Sequence, residues 1–244
     1  MSEPGGAAPM LQVAGLRAGY QDTTVIRDLS LTVTAGQVAV LIGPNGHGKT
    51  TLLRAISGLI TPTAGQVRLD GEDVAGRAAE RISALGLIHV PQGDGLFAEM
   101  TVEENLMMGA FPAASWRARR RELARVYERF PIVADRAGQR ARTLSGGERR
   151  LVALGRALMR PSRIMLIDEP SLGLAPVAID AVYEAIAGLK AAGATIVLVE
   201  ETFTHIEGVA DAVHVLESGQ IVASGPFAEL SVDPAIVETY LGSL

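Results

Sequence analysis

Residues Gly43 to Thr51 read GPNGHGKTT, preceded by the apolar run Val38-Ala39-Val40-Leu41-Ile42 and followed by Leu52, Leu53, Ile56 and Leu59 at helical spacing. This pattern predicts a phosphate-binding loop between a core strand and a helix. Gly43, Gly46 and Gly48 allow a tight turn and a close approach to an anion with no Cβ in the way, so that successive N–H groups and the helix N-terminus face a polyphosphate. Lys49 adds a point charge for the β/γ-phosphates and Thr50 a hydroxyl for Mg²⁺, while Pro44, Asn45, His47 and Thr51 complete the nucleotide-binding stretch. Together they satisfy G-x-x-x-x-G-K-[ST] in the strand-to-helix context that gives the motif its meaning. By itself the loop identifies a nucleotide and no more.

The rest of the chain narrows the class. With 244 residues, 48% hydrophobic and 4% aromatic, it is long enough for one large domain with a substantial core. The formal charge of −5 provides no overall positive field for nucleic acid, which is not an expected partner. The absence of cysteine excludes disulfides, thiol catalysis and thiolate metal sites. The opening MSEPGGAAP lacks a signal-peptide pattern, and no apolar run approaches the roughly 20 residues that span a bilayer, so a soluble or peripheral chain is expected.

In order, a Gly/Ala/Pro tail over residues 1–9 precedes a strand from Leu11 towards Gly19-Tyr20, and Leu29, Leu31 and Val33 alternate with polar neighbours as in a half-buried strand. Val67 and Leu69 continue the pattern, and Asp70-Gly71 is a hairpin signal, which predicts a small antiparallel sheet beside the nucleotide core. Leu85 to Val90 reads as a core strand breaking into a loop at Gln92. Thr101-Val102-Glu103-Glu104 has capping-box spacing, predicting a helix to about Gly109. A second helix carries Leu123, Val126, Tyr127 and Phe130 as a buried stripe behind the basic run Arg117, Arg119, Arg120 and Arg121, a solvated face.

Leu144-Ser145-Gly146-Gly147-Glu148 opens a further helix whose Leu151, Leu154 and Leu158 share a face. Its hydroxyl and Gly amides suit a terminal phosphate, yet the first loop already cradles one nucleotide, so that phosphate is expected from another chain. Ile164 to Ile167 then forms a buried strand ending in Asp168-Glu169-Pro170. The carboxyl edge of an open α/β sheet is where ligands bind. Asp168 is placed to share Mg²⁺ with Thr50, and Glu169 to polarise a water for in-line attack on a γ-phosphate. Without a metal, two such carboxylates are expected to repel each other.

Phosphate loop, Gln92 loop, LSGGE and DEP occur in the order and spacing of an ABC-type ATP-binding cassette, and the resemblance covers nearly all the chain after residue 10. More narrowly, TVEENLMMGAF (Thr101 to Phe111), VYERFP (Val126 to Pro131) and DEPSLGLAP (Asp168 to Pro176) resemble ATP-binding subunits of branched-chain amino acid importers, with urea and short-amide systems close in pattern. The resemblance implies an α/β fold: a phosphate-loop NTPase with a RecA-like core, an N-terminal antiparallel β subdomain and an inserted helical subdomain from about Gly95 to Met159, in a single domain over residues 10–244. It implies ATP and Mg²⁺ as ligands. Tyr20 aligns with the aromatic that stacks on adenine, Thr50 and Asp168 with Mg²⁺ ligands, Gln92 with the coupling glutamine that also joins the metal, and Glu169 with the catalytic base. Ser145 and Gly147, with Gly146 between them, align with γ-phosphate contacts made in trans. The implied assembly is a head-to-tail homodimer, or a heterodimer with a related cassette. Integral-membrane permease subunits dock near the Gln92 loop, and a solute-binding protein is an indirect partner. The implied location is the cytoplasmic face of the plasma membrane.

Departures matter too. Ala175 stands where most cassettes have an aspartate, a change shared with the amino acid importers. Glu201 stands where most have a switch histidine, and it is expected to come near the γ-phosphate on dimer closure, grouped with Glu169 and Gln92 as catalytic. His47 is bulky for a phosphate loop and is expected to turn to solvent. A soluble cassette ATPase is the rival class, but neither a long coiled coil nor a second cassette is present. A nucleotide-gated interaction module is the third: intact Glu169 argues against it and Glu201 favours it.

Overall fold

A computed structural model describes residues 9–111, 113–234 and 236, with the side chains of 113–115 left aside. The tail expected over residues 1–9 lies outside this set except for Pro9, which opens the first strand, and most of the C-terminal helical tail lies outside it as well. The elements are β1 (Pro9–Tyr20), β2 (Thr23–Thr34), β3 (Val38–Ile42), α1 (Lys49–Ile56), β4 (Ala64–Leu69), β5 (Glu72–Asp73), α2 (Ala79–Ala84), β6 (Leu87–Val90), α3 (Val102–Gly109), α4 (Ala113–Arg129), α5 (Pro131–Asp135), α6 (Gly146–Ala157), β7 (Ile164–Asp168), α7 (Pro176–Ala191), β8 (Ile196–Glu200), β9 (Ala212–Glu217), β10 (Gln220–Gly225) and α8 (Phe227–Leu230).

Two sheets form, in the orders β2-β1-β4-β5 and β10-β9-β3-β8-β7-β6. The first is antiparallel throughout. The second is parallel except for the β9–β10 hairpin at its edge. Of the three two-residue hairpins, Asp70-Gly71 and Ser218-Gly219 place two successive residues at positive φ and Gln21-Asp22 places one, Gln21, as the right-handed strand twist favours in tight turns.

The parallel strands are buried on both faces, and their alternation divides the core in two. Val38, Val40 and Ile42 of β3, with Met165 and Ile167 of β7, join Val102, Leu106, Val126, Leu151 and Leu154 on the helical side. Ala39 and Leu41, with Ile164 and Leu166, join Leu52, Leu53 and Ile56 of α1 and the inner face of the antiparallel sheet. The parallel sheet is therefore the middle layer. Helices α3 to α6 enter between β6 and β7, and α3 and α6 each start with a complete capping box, Thr101 with Glu104 and Ser145 with Glu148. Leu123, Val126 and Phe130 are buried as the stripe predicts.

Candidate active site

At the carboxyl edge of β3 the chain runs through the glycine loop into α1, whose N-cap Gly48 sits at φ 107°. Only glycine takes this backbone without strain, and Gly46 at φ 83° repeats the requirement. The Lys49 ammonium donates to the Gly43 carbonyl at 2.7 Å and the Pro44 carbonyl at 3.2 Å, and meets Glu169 Oε1 at 3.1 Å. Gln92 Nε2 donates to the other oxygen, Glu169 Oε2, at 2.8 Å. One carboxylate thus joins the phosphate-loop lysine to the loop after β6. Lys49 and Glu169 are both buried, where an ion pair persists only with further hydrogen bonds of this kind.

Next to this pair, Thr50 Oγ1 donates to Asp168 Oδ1 at 3.1 Å. Asp168 Oδ2 is buried with no hydrogen-bond partner. Burial raises the Asp168 pKa, the Thr50 bond opposes the rise and the neighbouring Glu169 charge adds to it. A buried acceptor left open beside a hydroxyl fits a small hard cation. Among the described residues no group of three or more His, Asp or Glu is placed to hold a metal ion. The expected repulsion between Asp168 and Glu169 is relieved differently: Glu169 is neutralised by Lys49, while Asp168 is held by Thr50.

Glu169 itself has φ 45°, uncommon for a residue with a Cβ and of the kind that gathers at functional sites. Its N–H donates to the Val199 carbonyl at 3.0 Å, and its carbonyl accepts from Leu172 N at 3.3 Å and Arg150 Nη2 at 3.4 Å. Arg150 also donates to the Gly93 carbonyl. This buried arginine, on the helix opened by LSGGE, holds both the Gln92 loop and the catalytic-edge turn, a role the sequence reading missed. The signal was present: Arg150 lies one turn before Leu154 on the apolar stripe, where an arginine needs partners.

Other expected site residues divide. Tyr20 ends β1 with 43% exposure, its hydroxyl accepting from Arg54 Nη1 of α1 at 3.0 Å. Ser145 is exposed, and its Oγ accepts from Glu148 N at 3.2 Å, leaving its own proton to donate. Gly147 is buried: a Cβ there would lie 2.7 Å from the Ala178 Cβ of α7, and one on Gly146 would lie 2.9 Å from Leu174 Cδ2. These glycines are demanded by packing as well as by any anion. His47 corrects the expectation that it turns to solvent: its Nδ1 accepts from Ser218 N at 3.2 Å, and its carbonyl accepts from Gly219 N at 3.1 Å. The imidazole braces the β9–β10 turn through Nδ1. Glu201 is exposed and makes no hydrogen bond or ion pair among the described residues. Glu200 is the carboxylate that turns inward, buried and bonded to Ser171 and Tyr183.

A glycine loop opening a helix at the carboxyl edge of a parallel sheet, with a lysine, a hydroxyl and two carboxylates converging on it, defines a phosphate-loop NTPase. Residues 26–172 match the family described as ABC transporter. The chain is 38% identical over 235 residues to the high-affinity branched-chain amino acid transport ATP-binding protein BraG of Pseudomonas aeruginosa, covering 96% of this chain and 100% of that one. It is 37% identical over 242 residues to the Nod factor export ATP-binding protein I of Ralstonia nicotianae, covering 96% and 74%. An ATP-binding cassette of an ABC transporter solved in its ADP conformation superposes with a TM-score of 0.84 at 27% identity, covering 96% of this chain and 99% of that one. The chain belongs to the ABC transporter family, as an ATP-binding subunit that hydrolyses ATP.

Proposed function

We propose that the chain is the ATPase subunit of an importer, with branched-chain amino acids as the solute. The observation that carries the catalytic half is the Lys49–Glu169–Gln92 contact beside Thr50–Asp168, which gathers the residues for phosphate binding, base catalysis and coupling at one sheet edge. The full-length similarity to BraG supports the solute.

In this reading Tyr20 stacks on adenine, the backbone from Gly43 to Thr51 and the Lys49 ammonium hold the β- and γ-phosphates, and Thr50, Asp168 and Gln92 hold Mg²⁺. The ion, when bound, offsets the charge that develops on the phosphate oxygens. A triphosphate competes with Glu169 for Lys49, and drawing the lysine away frees the carboxylate. Glu169 then takes a proton from water as the water oxygen bonds to the γ-phosphorus and the bond to the β-phosphate oxygen breaks. Ser145 and the Gly146 and Gly147 N–H groups complete the site of a second cassette, identical or related, in a head-to-tail dimer. Permease subunits dock near the Gln92 loop at the cytoplasmic face of the membrane, and a solute-binding protein supplies them. No helix among the described residues is long and apolar enough to cross a membrane. Glu201 faces the γ-phosphate only in the closed dimer, where Glu201→Gln should raise turnover at neutral pH.

Two measurements test the proposal. Glu169→Gln with ATP should form a dimer in light scattering, and a monomer at high protein and nucleotide concentration would refute the shared site. Cells expressing the chain with its partner subunits should take up labelled leucine, and Lys49→Ala should abolish that uptake. Extrusion in place of uptake would place the chain with the export relatives, and uptake of urea alone would reassign the solute.

A further inference from the structure

The buried carboxylate of Glu200 lies outside the machinery above, yet it touches it through one residue. Glu200 ends β8 and is 5% exposed. Its Oε1 accepts from Ser171 N at 3.2 Å and from the Tyr183 hydroxyl at 2.7 Å, and its Oε2 accepts from Ser171 Oγ at 2.9 Å. All three partners are donors, so the acceptor-only carboxylate satisfies every one of them. Ser171 is two residues from Glu169, within the turn closed by Leu172 N on the Glu169 carbonyl. That turn carries Glu169 at φ 45° directly before Pro170, and such a backbone persists only where its surroundings over-determine it. Tyr183 belongs to α7, the helix whose Ala178 lies against Gly147 at the start of α6.

We infer that Glu200 is a positioning residue for ATP hydrolysis, a clamp that fixes the Glu169 turn against β8 and ties it, through Tyr183, to the helix seated under the LSGGE segment. The inference rests on the reading of Glu169 as the base. Glu200 is bonded to Ser171 and Tyr183 and reaches Glu169 only through the turn. It acts by holding both the N–H and the hydroxyl of Ser171, so the carboxylate of Glu169 points at one place. In this chain Ala175 has only a methyl group and no polar atom with which to fasten the segment after Pro170, and the Glu200 clamp supplies that fastening from the neighbouring strand.

The chemistry of the clamp sets the test. Glutamine at 200 keeps a carbonyl oxygen for Ser171 N and Tyr183, while its amide nitrogen donates to Ser171 Oγ, whose hydroxyl reverses. Steady-state phosphate release by the full chain should therefore show Glu200→Gln within about threefold of the parent, because hydrogen-bond count is kept. Glu200→Ala and Ser171→Ala should each lower kcat by about tenfold or more with KM for ATP within about twofold, since displacing a base costs the chemical step rather than binding. The double variant should be no slower than Glu200→Ala alone, because the single bond that Ser171→Ala removes is already lost with the Glu200 carboxylate. Tyr183→Phe, which deletes one hydroxyl, keeps the test available if the alanine variant fails to fold, and should lower kcat by about threefold. Parental kcat in Ser171→Ala and Tyr183→Phe would overturn the clamp, as would KM rising in step with the loss of kcat. Glu200→Gln as damaged as Glu200→Ala would overturn positioning in favour of the charge itself. Glu169→Gln is run beside them: if it keeps parental turnover, the reading of the base fails, whereas a dead Glu169→Gln beside unaffected clamp variants isolates the failure to this inference.

Discussion

The phosphate loop and the LSGGE segment both lead a glycine-bearing loop into a helix N-terminus, but Gly46 of the first answers to a different constraint from Gly146 and Gly147 of the second. In the first, Gly46 and Gly48 adopt positive φ and nothing lies within 4 Å of a Cβ placed on Gly46. In the second, neither Gly146 nor Gly147 has positive φ, and both are fixed by the approach of α7 and its preceding turn. Their charges differ as well. Lys49 already has two carbonyls and a carboxylate, whereas the exposed Ser145 side chain is held by its capping partner Glu148. The lysine of the first segment is satisfied within the chain, while the Ser145 hydroxyl of the second keeps its proton to donate.

The largest expected effect separates the two. Lys49→Ala should weaken ATP binding to the single cassette by about 2–5 kcal/mol, the range for removing one partner of a buried charge pair. Ser145→Ala should leave that affinity unchanged, and titration of a fluorescent ATP analogue at low protein concentration checks both. A Ser145→Ala defect under those dilute conditions would break the distinction. Next, Gly147→Ala should destabilise the fold by about 1–3 kcal/mol in urea unfolding through overpacking against Ala178. Gly46→Ala, with open space but a left-handed backbone, should cost about 1–2 kcal/mol through strain alone.

Tyr20→Ala should weaken nucleotide binding by about 1–3 kcal/mol and Tyr20→Trp should retain it, as for bases stacked on aromatics. Unchanged affinity in Tyr20→Ala would assign the ring to the Arg54 contact. A smaller effect is expected beneath the Gln92 loop, where His89 Nδ1 is 3.1 Å from Ser57 Oγ. Burial, aided by the Arg54 charge, lowers the His89 pKa from 6.5 to about 4. A folded pKa below the unfolded one gives stability that is present above about 6.5 and lost as pH falls towards about 4. Urea midpoints should fall over that window, and more shallowly in His89→Gln. The smallest effect compares the two capping boxes. Thr101→Ala and Ser145→Ala should each cost about 1 kcal/mol of stability, but only Ser145→Ala should also slow hydrolysis at concentrations that allow dimerisation.

Local signals were legible wherever a short stretch obeys its own chemistry. Thr101-x-x-Glu104 and Ser145-x-x-Glu148 both form the boxes their spacing predicts, and Asp70-Gly71 forms its hairpin. The fold class followed from the strand-loop-helix of residues 38–59 and from DEP at the end of a second buried strand. Where two carboxylates stand side by side, the sequence reading singled out Glu201 and passed over Glu200, which is the one turned into the protein. Strand parity offered a hint, since Glu200 shares a face with Ile196 and Leu198, both in the helical-side core. His47 gave no such hint, because Ser218 is far along the chain and meets it only across the sheet edge.

What the sequence by itself determined is the order of chemistry along the chain: a glycine loop with Lys49 and Thr50, a glutamine after a core strand, a capped glycine helix, and a strand ending in Asp168-Glu169. Each of these depends on neighbours within a few residues, where backbone propensity and side-chain reach suffice. Only the tertiary structure decided which charges neutralise which. Lys49 meets Glu169, Gln92 meets the same carboxylate, Arg150 joins the Gly93 and Glu169 carbonyls, and Glu200 takes Ser171 and Tyr183. Those pairings join residues on different strands and helices, and burial at one sheet edge forces each polar group to take whatever partner the packing of the layers brings within reach.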